Sequence, residues 1–208
     1  LGTTGPRTHP PAVSLRQAFL SVREALDELG ATWALVGGLA VGARTEPRFT
    51  RDVDLAVAVP DDRTAEALLR DLIGRGYSVV ALVEQDAVGR LATARLQAPG
   101  TEHLVDLMFA SCGVEGEVAR NAEPIEIFSG VRAPVARLAH LAAMKIMSRD
   151  DDTREQDRGD LRRLLKAATP ADLEEIRRVL VLMGQRGYHR GRDLTEGLSQ
   201  ALQDLAGP

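Results

Sequence analysis

The stretch that most restricts how this chain can fold is "WALVGGLAVGARTEPRFTRDVDLAVAV", residues 33–59. An apolar run ends in Gly37 and Gly38, and a second apolar run carries Asp52 and Asp54 two positions apart. A short apolar run closed by a double glycine fits a buried strand that turns straight into a helix. On a strand, residues i and i+2 share a face, so the two carboxylates project the same way. Like charges in that position repel unless a cation lies between them. Mg²⁺ (or Mn²⁺) is the natural partner, since it takes hard oxygen ligands and commonly one or two carboxylates, with substrate phosphates filling its shell. Asp106, in "LVDLMF", is a third acid inside apolar strand sequence, where an unpaired carboxylate is costly. Three carboxylates on neighbouring strands could hold two metals. Gly37 and Gly38 fit the same picture, because a helix N-terminus without side chains lets a phosphate approach backbone N–H groups. A tight packing turn explains the pair equally well.

Around this segment the patterning is α/β. "SLRQAFLSVREALDELG" repeats apolar residues at helical spacing from a Ser14 cap to Gly30, and "DRTAEALLRDLIGRG" does so up to Gly74 and Gly76. Strand-like runs lie at 77–83, 90–97 and 103–110. After residue 113 come a loop or short helix and a brief strand, "IEIF". "PVARLAHLAAMKIMSRD" is then expected to be a helix opening at Pro134, followed by "REQDRGDLRRLLKAA", "PADLEEIRRVLVLM" and "DLTEGLSQALQDLA". The expected plan is a flexible tail at 1–12, a mixed-sheet α/β domain with flanking helices at 13–130, and a C-terminal helical domain at 131–208.

An apolar content of 44% supports a core, yet no apolar stretch approaches the ~20 residues that span a bilayer. The first residues lack the features of a signal peptide. The single Cys112 cannot form an internal disulfide and is expected to be a small core or loop residue. A cytoplasmic protein without membrane partners is the expectation. Charge is uneven: residues 1–130 hold 12 basic against 18 acidic residues, whereas 131–192 hold 14 against 9. The later part is a candidate polyanion-facing surface, formed from Arg154, Arg158, Arg162, Arg163, Arg177, Arg178, Arg186, Arg190 and Arg192; solvated helix faces account for the bias equally well. His9, His103, His140 and His189 show no metal-ligand spacing and are assigned to tail, strand edge and helix surfaces. Trp33 is assigned to the core.

The order of strand, Gly-Gly, helix, thirteen-residue spacer (39–51), Asp-x-Asp strand and third strand aspartate resembles the nucleotidyltransferase superfamily related to DNA polymerase β. A second stretch, "LAHLAAMKIMSRDDDTREQDRGDLRRLL", residues 138–165, resembles the signature of the AbiEii and MenT nucleotidyltransferase toxins. Lys145 matches their helical lysine, and Asp157 and Asp160 match their Asp-x-x-Asp-Leu. Independently, the chain uses 24 arginines and two lysines, so Lys145 marks a place where a compact ammonium suits better than a planar fork.

The resemblance implies transfer of a nucleoside monophosphate from a nucleoside triphosphate (NTP) onto a hydroxyl, with pyrophosphate released. Asp52 and Asp54 would hold the metal, and Asp106 would be a third ligand or the base. Lys145 would bind the triphosphate, with Asp160 orienting it. Gly37, Gly38, Thr50, Arg51 and Asp157 would complete the nucleotide site, and Arg44 and Arg48 would help neutralise phosphates. The implied acceptor is the 3′ end of tRNA, and the implied protein partner is a cognate antitoxin. Two rivals share part of the pattern: an antibiotic-type nucleotidyltransferase, which does not predict "QDRGDL", and a catalytically silent binding module.

Overall fold

Ser14 opens helix α1, Leu15–Glu28, through a reciprocal capping box with Gln17, and the helix buries Phe19, Val22 and Leu26. The computed structural model describes residues 14–148 and 155–206. The tail expected at 1–12, with His9, and also Arg149 and Arg154, lies outside the described residues. Strand β1, Trp33–Val36, is buried throughout and passes directly into α2, Gly37–Arg44. Then follow β2 Val53–Val57, α3 Asp62–Gly74, β3 Ser78–Gln85, β4 Arg90–Gln97 and β5 Leu104–Met108. The chain continues through α4 Glu115–Arg120, β6 Glu123–Phe128 and β7 Val131–Val135. Four helices complete it: α5 Leu138–Ser148, α6 Glu155–Ala167, α7 Pro170–Gln185 and α8 Leu194–Ala206.

The strands form one mixed sheet in the order β3-β4-β5-β2-β1-β7-β6. β2 pairs in parallel with β5 and antiparallel with β1, while β7 pairs in parallel with β1. Central strands β1, β2 and β5 carry Leu35, Leu55 and Leu107, all fully buried. Trp33 is core, as expected; its ring meets Phe19 edge-on and its indole N–H donates to Asp27 at 2.9 Å. Cys112 is buried too.

Two expectations are corrected. Pro134 does not open a helix; it sits in β7, opposite Pro124 of edge strand β6, and the helix starts at Leu138. The sheet therefore extends past residue 130. His140 is not on a helix surface: it is buried, because α5 packs against α2, α6, α7 and α8 and is covered on nearly every side. Burial pushes the His140 imidazole pKa down, toward the neutral form.

β3 lies at the sheet edge beyond the covering helices, so Val79, Val80, Leu82 and Val83 of that strand are exposed. Among the described residues no helix is long and apolar enough to cross a membrane.

Candidate active site

Strand register creates a row of functional side chains across the sheet. Asp54 of β2 lies opposite Val36 of β1 on one side and opposite Asp106 of β5 on the other. Asp106 in turn lies opposite Arg95 of β4. Directly opposed residues on paired strands point to one face, so Asp54, Asp106 and Arg95 stand side by side. Asp52 precedes β2 by one residue and is half-buried.

Asp54 is the strained member of the row. Its carboxyl pKa is pushed up to about 6, first by burial and then by the negative charge of Asp106, with Asp52 adding to the effect. Lys145 and the backbone N–H of Gly38, which donates to the carboxylate, pull the other way. Lys145 on α5 therefore acts on the same site as the β2 acids. Asp106 has both oxygens occupied: Arg95 Nε donates to Oδ1 at 2.8 Å and Arg95 Nη2 to Oδ2 at 2.7 Å. Among the described residues no three Asp, Glu, His or Cys side chains converge closely enough to hold a metal ion as they stand. The carboxylates nevertheless suit a hard divalent cation, which would offset the burial and repulsion that raise the Asp54 pKa.

The two glycines are required by what lies over them. A Cβ on Gly37 would fall 1.9 Å from Asp54 Oδ2, and the residue adopts φ +61°. A Cβ on Gly38 would meet Arg48 Nη2 at 2.5 Å and Thr50 Oγ1 at 2.8 Å. The space is filled by the chain's own carboxylate, guanidinium and hydroxyl, so of the two expectations for Gly-Gly the close-packed turn is directly visible. Thr50 lies in the loop before β2, and its hydroxyl faces the glycine turn.

A second cluster ties that loop to the helices. Asp160 of α6 is fully buried and receives Lys145 Nζ at 3.1 Å, Arg48 Nη2 at 2.8 Å and Arg163 Nη1 at 3.4 Å. Lys145 also pairs with Asp157. A buried carboxylate bonded by three cations avoids the penalty of an unpaired charge. The lysine and both aspartates of "K…QDRGD" are thus in direct contact. Arg48 is the structural addition, bridging residues 112 positions apart. Its Nη1 also donates to the Phe49 carbonyl at 3.0 Å, fixing the backbone of a residue that is 77% exposed.

Other candidates sort differently. Arg51 lies with its guanidinium 5.6 Å from the centre of the Phe49 ring. Arg44 donates to the carbonyls of Ala136 and Val135 and to Glu123, tying α2 to β6 and β7. Of the basic set, Arg177 pairs with Glu174 and Arg186 with Glu117, while Arg158 and Arg162 are exposed on α6. Arg95 and Arg48 were missed as partners of the acids, since only strand register and tertiary packing bring them there.

The family model described as nucleotidyl transferase AbiEii toxin, Type IV TA system, matches residues 19–206. No curated protein matches the chain. Among solved structures, the solution structure of the antibiotic-resistance factor ANT(2'')-Ia aligns with a TM-score of 0.55 at 15% identity, covering 81% of this chain and 90% of that one. A crystal structure of ANT(2'')-Ia in complex with adenylyl-2''-tobramycin aligns with a TM-score of 0.54 at 18% identity, covering 82% and 98%. An antigenic nucleotidyltransferase-like protein from Paracoccidioides brasiliensis gives 0.48 at 22% identity over 93% and 95%. For the two ANT(2'')-Ia structures, at these identities, the likeness is one of fold.

Proposed function

Because this chain belongs to the AbiEii nucleotidyl transferase toxin family, we propose that it moves a nucleoside monophosphate from an NTP to the 3′-hydroxyl of tRNA, as the toxin of a toxin–antitoxin pair. It is a nucleotidyltransferase by family and fold. The observation that carries the reading is the acid row of Asp52, Asp54 and Asp106 facing a lysine held by Asp157 and Asp160.

Asp52 and Asp54 would hold Mg²⁺ or Mn²⁺, with Asp106 the third acid of the row. When bound, the cation would act as a Lewis acid that offsets negative charge on the reacting phosphoryl group. The chain's own residues do the remaining work. Asp160 holds Lys145 in place, and Lys145 exchanges its contact with Asp157 for triphosphate oxygens. Arg48 locks the Asp-x-Asp loop onto α6, so that the phosphate-binding lysine and the acids keep a fixed separation. The Thr50 hydroxyl, beside Gly38, can donate to a phosphate oxygen. Exposed Arg158 and Arg162 on α6 supply a basic face for the RNA backbone, and Phe49 offers a ring on which an unpaired base can stack. A cognate antitoxin is the expected protein partner.

Small hydroxylated acceptors are the alternative, drawn from ANT(2'')-Ia and its adenylyl-tobramycin complex. That reading shares the acid row but gives no use to an exposed basic helix, since aminoglycosides are cations. A catalytically silent module would have no use for a carboxylate held at so unfavourable a pKa. The test is to incubate the purified chain with Mg²⁺, each labelled NTP and total tRNA, and to repeat it with tRNA whose terminal 3′-hydroxyl has been oxidised. Label is expected on intact tRNA alone. Equal label on oxidised tRNA would refute 3′-end transfer, and turnover of a hydroxylated antibiotic without RNA labelling would favour the alternative.

A further inference from the structure

We propose that Arg95 covers the cation-facing edge of Asp106, so that the chain holds one divalent cation, at Asp52 and Asp54, and uses the Arg95 guanidinium as the second positive charge of the site. The inference rests on the function proposed above and concerns how the acid row is balanced. Both Asp106 oxygens accept from one planar fork, at 2.8 and 2.7 Å, from a residue directly opposite in the β4–β5 register. Such a bidentate pair is fixed in geometry as well as charge, and an arginine does not lose its proton at any working pH. An ion seeking Asp106 as a ligand competes with that fork on both oxygens.

The charges are consistent with one ion. Three carboxylates, one guanidinium and one divalent cation sum to zero. Lys145, Arg48 and Arg163 are paired with Asp157 and Asp160 in a cluster of their own, outside this sum. With Arg95 in place a second divalent ion would leave the row with two positive charges before any substrate arrives.

The Arg95 side chain is 45% exposed, whereas that of Asp106 is 9% exposed. Arg95 therefore reaches inward from solvent to a carboxylate that is itself nearly out of solvent. It acts as a positioning residue: it sets the rotamer of Asp106 and withholds its oxygens from metal.

The experiment is a Mn²⁺ titration of the full chain, following free Mn²⁺ by electron paramagnetic resonance, without nucleotide. One bound ion per chain is expected for the unaltered protein, two for Arg95→Gln, and one again for Arg95→Gln combined with Asp106→Asn. Two ions in the unaltered protein, or one in a folded Arg95→Gln, would overturn the role of Arg95. If Arg95→Gln fails to fold, Arg95→Lys replaces it. Its ammonium can cover only one Asp106 oxygen and is expected to admit a second, weaker ion; a single ion there would also overturn the proposal. Asp54→Asn separates the two levels of inference. Its expected result is loss of the single ion. Retention of that ion would place the cation elsewhere and refute the Asp52–Asp54 site itself, whatever Arg95 does.

Discussion

Replacing Asp54 by Asn should make the metal-free protein more stable while destroying its activity. The folded-state pKa of Asp54 is about 6 against an ordinary value of 3.8, raised by burial and by Asp106. A raised carboxyl pKa means that the folded protein keeps a proton which the unfolded chain has released. Below about pH 4 both states are protonated and there is no penalty. Between about pH 4 and 6 stability falls as pH rises, and above that the full penalty persists. Raising the carboxyl pKa from 3.8 to about 6 is worth roughly 3 kcal/mol. Relaxation and residual solvent reduce this to about half, or about 3–6 °C in midpoint for a chain of this size. Asn keeps an oxygen to accept the Gly38 N–H and has nearly the same shape beside Gly37. Other carboxylates, such as Asp61, Asp62 and Glu117, have lowered pKa values and give stability that grows with pH. The quantity to follow is therefore the difference between variant and parent. Urea unfolding in chelator from pH 4 to 8 should show that difference growing in favour of Asn up to about pH 6 and then levelling. A flat difference, or a variant less stable at pH 7.5, would refute the account of Asp54 as a buried, repelled charge.

Gly37→Ala should cost at least ~2 kcal/mol, since its Cβ would collide with the Asp54 carboxylate at a φ that side chains avoid; an unchanged melting point would contradict this. Lys145→Arg should weaken NTP binding about tenfold or more, because the site between Asp157 and Asp160 is nearly closed and shaped for an ammonium; parental affinity in an NTP titration would contradict it. Phe49→Ala should raise KM for the RNA acceptor about tenfold, with little change in melting point, since the ring is exposed. An effect on stability instead of KM would make that ring structural.

The first half of the fold was legible because its signals are local. An apolar run, a double glycine and an alternating acidic strand each carry their own period, and β1, α2 and β2 follow them closely. β7 was not legible: "VRAPV" contains an arginine and a proline, and its place is set by pairing with β1 and β6. Pro134 fits an edge hairpin as well as it fits a helix start, and only the tertiary context chooses. The burial of His140 has the same origin, since a helix covered on all sides has no polar face to betray it. Within the site, Asp52, Asp54 and Asp106 are legible from acids set in apolar strand sequence, and Lys145, Asp157 and Asp160 through the resemblance to the AbiEii and MenT signature; the structure brings the acid row and the lysine cluster together. Their counter-ions were hidden for a physical reason: an arginine contributes to pairing through a long, adaptable side chain, so neither Arg95 nor Arg48 leaves a periodic trace.

Nucleotidyl rather than phosphoryl transfer at the Asp52–Asp54 row is tested most directly by a paired labelling reaction. Purified chain, Mg²⁺ and total tRNA are supplied with one NTP labelled either at the α- or at the γ-phosphate. The α-label is expected to become covalent on RNA and the γ-label to leave as pyrophosphate, with neither event in Asp54→Asn. Transfer of the γ-label to the acceptor, or undiminished α-label transfer by folded Asp54→Asn, would contradict the account.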